Sequence, residues 1–280
     1  MKNNNLKLLV STLAAVAGMA GTAATAGPLI TNWTYGVTAQ FDTGANAPTF
    51  TSTSGSQFVS ANMLSWGATR ANPAPINTNN ANTSRSGLTI SNSPATGTVA
   101  TNGGPAAVNT YTHFNNPISG SFGTLKTATV NSTLTLNSLA PVSGVNYGPV
   151  TVSYFIDFVE TTNATPCAVA SPTPCNDIFV IEGLLNNNFT VDGNTYYASF
   201  FESSNALTPL SNAACAAAGS ASNCLGFTTV EGQANAFTFN LLITSAPVSI
   251  NVPEPSSLAL LGLGLLAAVG ASRRRTGRSA

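Results

Sequence analysis

Trp33-Thr34-Tyr35-Gly36-Val37-Thr38-Ala39-Gln40-Phe41 decides the fold class of this chain. Trp33, Tyr35, Val37, Ala39 and Phe41 occupy alternate positions, with small or polar residues between them, the period of a strand with one buried face. The period returns in Val150, Val152, Tyr154, Ile156 and Phe158 and again in Phe237, Phe239, Leu241 and Ile243, while Val130 to Leu136 is rich in Thr and Leu. Asp192-Gly193-Asn194, set between Phe189-Thr190-Val191 and Thr195-Tyr196-Tyr197, reads as a hairpin turn, because glycine and asparagine tolerate positive φ. Helical patterning is confined to the two ends of the chain and to the Ala-rich patch from Ala213 to Ala218. Asn72 to Ser86, rich in Ser, Thr and Asn, reads as the one long loop. Many short strands with closely spaced turn signals predict an all-β domain, a single β-sandwich or jelly roll. A β-solenoid is the alternative, and the lack of a fixed repeat stands against it.

Charged residues are 6% of the chain, against about 25% in an ordinary globular domain, so solubility rests on Asn, Ser, Thr and Gly. Lys2 and Lys7 lie at one end, Arg273, Arg274, Arg275 and Arg278 at the other, leaving Arg70, Arg85 and Lys126 between. Against those three stand eight acids from Gly27 to Val252: Asp42, Asp157, Glu160, Asp177, Glu182, Asp192, Glu202 and Glu231. An acidic body with three scattered cations has no basic stripe for phosphates, which excludes nucleic acid as a partner.

The ends carry addresses. After Lys2 and Lys7 comes an apolar run, Leu8 to Ala20, and then Ala24-Thr25-Ala26, the small-x-small pattern that signal peptidase cuts. Residues 1–26 therefore read as a signal peptide, the run being too short for a good uncleaved anchor. At the other end Pro253-Glu254-Pro255 leads into the apolar run Leu258 to Ala271, and Arg273-Arg274-Arg275 follows. Fourteen helical residues rise about 21 Å, a marginal transmembrane span that suits a transient signal. The arginines hold their side in the cytoplasm, leaving the prolines outside and extended where a protease reaches them. A buried C-terminal helix would not need three adjacent arginines directly after it.

Pro253-Glu254-Pro255, the short apolar helix and the Arg cluster together resemble a PEP-CTERM sorting signal, a feature of Gram-negative bacteria that make extracellular polysaccharide. The resemblance implies export, transient residence in the inner membrane, and processing by an exosortase, a membrane cysteine protease-transpeptidase. It implies release to the cell surface or matrix, with exopolysaccharide as the companion. The layout is then a signal peptide at 1–26, an exported domain at 27–251 and a sorting signal at 252–278. Thr112-His113-Phe114-Asn115 further resembles the signature of the THxN family of PEP-CTERM proteins. Leu64-Ser65-Trp66-Gly67, Ser86-Gly87-Leu88, Phe158 to Asn163, Cys175 to Phe179 and Cys224 to Glu231 are similar to that family as well. The family is named for its motif, so the resemblance implies an address without a chemistry.

Four cysteines in an exported chain point to disulfides, and of three possible pairings the sequential one, Cys167 with Cys175 and Cys215 with Cys224, closes two short loops. Neither pair has the two-residue spacing of a zinc site. His113 is the single histidine, and with Asn115 it reads as a side-chain cap on the turn at Asn116-Pro117. Contact with metal or polysaccharide, and general-base catalysis, are the sharper alternatives for it. Paired carboxylates hydrolyse glycosides or hold calcium, but strand alternation sends Asp157 and Glu160 to opposite faces. A solvent-exposed or bulge-bound pair is the expectation there, with Asp177 capping the turn after the Pro-rich loop. No Gly-x-Ser-x-Gly, phosphate loop, His-Glu-x-x-His or Asp-rich calcium loop occurs. Trp33, Trp66, Tyr196 and Tyr197 stack on sugars if exposed and otherwise build the core. The expectation is a non-catalytic structural or adhesive protein without cofactor or metal, with a carbohydrate-binding module as the alternative and a glycan hydrolase after that.

Overall fold

The computed structural model describes residues 26–69, 71–161, 167, 175–182, 186–203 and 207–248. The predicted signal peptide up to Thr25, including Ala24, and the predicted sorting segment with Pro253, Glu254, Pro255, Arg273, Arg274 and Arg275 lie outside the described residues. Alternation becomes strand wherever it was read: Trp33, Tyr35, Val37, Ala39 and Phe41 are all buried, with their neighbours half-buried or exposed.

The strands form two sheets. One runs β13 (Thr208–Pro209), β14 (Leu225–Thr229), β10 (Asp177–Glu182), β9 (Asn146–Val159), β8 (Leu125–Ala140), β1 (Asn32–Phe41) and β6 (Ala95–Ala100), with β2 (Thr49–Phe50) also on β8. The other runs β11 (Asn187–Val191), β12 (Asn194–Glu202), β15 (Gln233–Thr244), β7 (Ala106–Asn115), β5 (Ser86–Ser91), β4 (Met63–Ala68) and β3 (Ser56–Val59). The strand pairings are antiparallel, and one isolated parallel bridge joins Thr101 to Ile243.

The inner faces share one core. Trp33 of β1 meets Tyr196 of β12 edge-on at 5.2 Å, and Trp66 of β4 lies 5.4 Å from Phe158 of β9. Tyr111 of β7 meets Tyr154 of β9 hydroxyl to hydroxyl. Each such aromatic removes roughly 150–250 Å² from water, which makes these cross-sheet contacts the main adhesive between the layers. The molecule is thus a two-layer β-sandwich, as the alternating pattern predicts.

β10 is buried on both faces from Asp177 to Ile181, so its run of apolar residues does not alternate. Its outer face is covered by α1 (Asn212–Ala218), the Ala-rich patch, which packs Ala214 and Cys215 with Ile178 and Val180. Ser211 caps α1 by accepting from the Ala214 N–H, and Gly219 ends it at φ 85°. Cys215–Cys224 staples this helix to the start of β14, and Cys167–Cys175 closes the approach to β10, the sequential pairing.

Both ends of the described body are fastened beside β11. The Gly27 N–H donates to the Asp192 carbonyl at 2.8 Å, and Asn194 Nδ2 donates to the Gly27 carbonyl at 2.8 Å. Asn186 and Val248 exchange two bonds, Nδ2 to the Val248 carbonyl at 2.8 Å and the Val248 N–H to Oδ1 at 2.7 Å.

Candidate functional site

The described residues of the six stretches quoted for the family resemblance converge on one end of the sandwich. β7 is the centre. Its alternation turns His113 and Asn115 inward, both with no exposed surface, and leaves Thr112 half-buried on the other face. The His113 ring stacks on Trp66 at 5.8 Å and lies edge-on to Phe158 and Phe179 at 5.4 and 4.8 Å. Its Nδ1 lies 2.9 Å from the Thr229 hydroxyl, and Asn115 Nδ2 donates to the Thr229 carbonyl at 3.1 Å.

His113 and Asn115 therefore grip one residue of the opposite sheet and do not cap their own turn, a correction that follows from their inward orientation. The turn at Asn116 is held by Asn116 itself, whose N–H donates to Ser86 Oγ at 3.1 Å and whose Nδ2 donates to the Arg85 carbonyl at 2.8 Å. Burial holds the imidazole neutral by lowering its pKa to about 3.

Thr229 is the residue that faces Asp177 across the β10–β14 ladder. Asp177 opens β10, Glu160 directly follows β9, and Glu231 sits in the tight turn from β14 to β15. That turn crosses between the sheets. It is locked by Asn235, which accepts from the Val230 N–H and donates to the Val230 carbonyl, both at 3.1 Å, while Gly232 takes φ 73°. One oxygen from each of Glu160, Asp177 and Glu231 lies within 4.8 Å of the others.

The supports are specific. Trp66 donates its indole N–H to Glu160 Oε2 at 3.2 Å, and the Thr161 N–H donates to Asp177 Oδ1 at 2.8 Å. The Thr161 hydroxyl donates to the Cys175 carbonyl, so the first disulfide is tied to this corner. Glu160 Oε1, Asp177 Oδ2 and Asn115 Oδ1 are buried without a hydrogen-bond partner. Burial holds Glu160 well above the usual carboxylate range, and the charges of Asp177 and Glu231 push it further against the Trp66 bond. Burial raises Asp177 too, opposed by the Thr161 N–H and reinforced by Glu231.

Asp157 and Glu160 do diverge, and Asp157 Oδ2 accepts from Ser220 Oγ at 2.7 Å on the outer side. They are not, however, an exposed pair: Glu160 turns its Oε1 into the interior, because it continues the inward face of β9 past Phe158. Asp177 likewise caps no preceding turn; it binds back to the end of β9. The expected sites do not include Glu231, whose neighbours are set by strand pairing over long separations. A usable signal was present in that Glu160, Asp177 and Glu231 each lie among Thr or Asn residues in the quoted stretches.

Trp33, Trp66 and Tyr196 are core residues and Tyr197 is half-buried, so these four make no exposed aromatic stripe. A cavity of about 530 Å³ lies elsewhere, lined by Tyr147, Thr151, Ser153, Asn186, Asn188 and Phe189 among others. Among the described residues no helix is long and apolar enough to cross a membrane. Residues 251–275 match the model of the PEP-CTERM protein-sorting motif, a span that takes in Pro253-Glu254-Pro255 and Arg273 to Arg275. That motif marks the chain as an exosortase substrate sent to the cell surface. No curated protein matches the chain.

Proposed function

We propose that the domain at 27–251 is a non-catalytic structural or adhesive component of the cell surface or extracellular matrix, working beside exopolysaccharide. Signal peptidase removes residues 1–26, and the exosortase acts at Pro253-Glu254-Pro255. The observation that carries this reading is the sorting-motif match at 251–275, which follows the described residues of the sandwich. Two features support the non-catalytic part. His113 is walled by three aromatic rings with a depressed pKa, and Asp157, bonded to Ser220 on the outer side, is turned away from Glu160. A surface rich in Asn, Ser and Thr hydrates without charge, which suits a polysaccharide setting.

Intact mass of the protein from washed envelopes and, separately, from the matrix of its host tests the reading. A matrix species starting near Gly27 and ending near Pro253 is the expected result. Recovery in envelopes alone, with Arg273 to Arg275 retained, would overturn it. A carbohydrate-binding module is the second reading, favoured by the polar cavity beside the stacked Tyr147 and Phe189 rings, 4.2 Å apart.

A further inference from the structure

We propose that Glu160, Asp177 and Glu231 form a binding site for a hard divalent cation of the calcium class. Three carboxylates arrive from three separate elements, the end of β9, the start of β10 and the β14–β15 turn, and bring an oxygen each within 4.8 Å. Oxygens on one calcium ion, with bonds of ~2.3–2.6 Å, lie at most about 5 Å apart, so this spacing admits a shared ion.

The second observation is independent of the count of acids. Asp177 has no exposed surface, its Oδ1 accepts from Thr161, and its buried Oδ2 has no partner. Glu160 repeats the arrangement: Oε2 accepts from Trp66 while the buried Oε1 has no partner. Buried carboxylate oxygens without donors are costly, and an ion that takes one lone pair from each removes that cost. The fully buried Asn115 adds a further unpartnered oxygen, Oδ1, on an amide bonded to Thr229, the residue opposite Asp177.

The donor set selects the ion. It is all oxygen, with the cysteines of the chain in disulfides, and all-oxygen sites suit calcium, magnesium or manganese over zinc or copper. Magnesium keeps several of its waters and is held by one or two carboxylates, whereas three converge here. The choice of calcium alone draws on the exported location; the site does not rest on it.

The test uses the exported protein as its host processes it, stripped with EDTA. Calorimetric titration with calcium chloride is expected to show one saturable site with Kd of ~1 mM or tighter, the range of extracellular calcium modules. Terbium chloride, a calcium substitute, is expected to emit on tryptophan excitation because Trp66 donates directly to Glu160. Glu160→Gln and Asp177→Asn should each weaken calcium at least about tenfold. If neither variant folds, judged by near-ultraviolet circular dichroism, Glu231→Gln in the turn serves instead. Trp66→Phe should lose the terbium emission. Absence of both signals up to ~10 mM in the wild type would overturn the proposal, as would affinity unchanged in the folded carboxylate variants. Terbium emission surviving in Trp66→Phe would also overturn it, by placing the ion elsewhere.

Discussion

His113 reaches from β7 across the sandwich to Thr229 on β14, its Nδ1 2.9 Å from the hydroxyl, and so one imidazole ties the two sheets together. Its folded pKa of about 3 lies below the 6.5 of an ordinary histidine, because burial penalises the charged ring. Below pH 6.5 the unfolded chain binds a proton that the folded chain refuses. The stabilisation is therefore complete above pH 6.5 and is lost as pH falls towards 3. The slope approaches about 1.4 kcal/mol per pH unit.

His113→Phe keeps the ring packing and removes the titration. Urea unfolding of both proteins between pH 7 and 4 should give a difference curve that narrows with acidity at about that slope. Glu160 and Asp177, with raised pKa, gain protons on folding as pH falls and act in the opposite direction, but they are common to both proteins. At pH 7 the variant should be weaker by about 1–3 kcal/mol, since it strands the Thr229 hydroxyl. A constant difference across pH would refute the neutral buried histidine.

Cys167–Cys175 and Cys215–Cys224 close loops of nearly equal length, with separations of 8 and 9 residues. Replacing either pair with alanine should cost about 2.5 kcal/mol through the entropy of the unfolded chain. Their local effects should differ. Cys175 holds Thr161, and Thr161 holds Asp177 beside Glu160, the acceptor of the Trp66 indole. Loss of the first pair should shift tryptophan emission in the folded protein, and loss of the second, beneath α1, should not. Equal shifts from both would break the link between disulfide and acid corner.

Asn186 clamps Val248 by two hydrogen bonds, and only five residues later comes Pro253. Fully extended, five residues span at most about 18 Å. Asn186→Gly tolerates the φ of 57° found there while deleting both bonds. Limited proteolysis read by mass should then cut faster between Thr244 and Pro253, with the rest of the chain unaffected. An unchanged rate would mean that the clamp does not protect this stretch.

Local pattern made the individual elements legible. Trp33 to Phe41, Val150 to Phe158 and Phe237 to Ile243 alternate as strands with one face on the core must, and Asp192-Gly193 makes the hairpin turn at φ 48° and 78°. The helix at Asn212–Ala218 and the sequential disulfides were legible for the same reason, since each is settled within a few residues. The acid corner was not. Glu160 and Asp177 are 17 residues apart and Glu231 is 54 further on, joined by the pairing of Asp177 with Thr229 and by the crossing turn after it. Alternation says which way a side chain points from its own strand, and says nothing of which other strand it meets.

β15, which leads to the clamped end at Val248, lies inside its sheet, paired with β12 from Phe239 to Thr244 and with β7 from Gln233 to Leu241. Antiparallel ladder bonds run perpendicular to the strands, so traction entering from the C-terminal side pulls along β15 and strains bonds on both flanks together. An edge strand loaded in the same way would carry ladder bonds on one flank alone. Traction applied at Val248 therefore meets resistance from two ladders at once, one shared with β12 and one with β7.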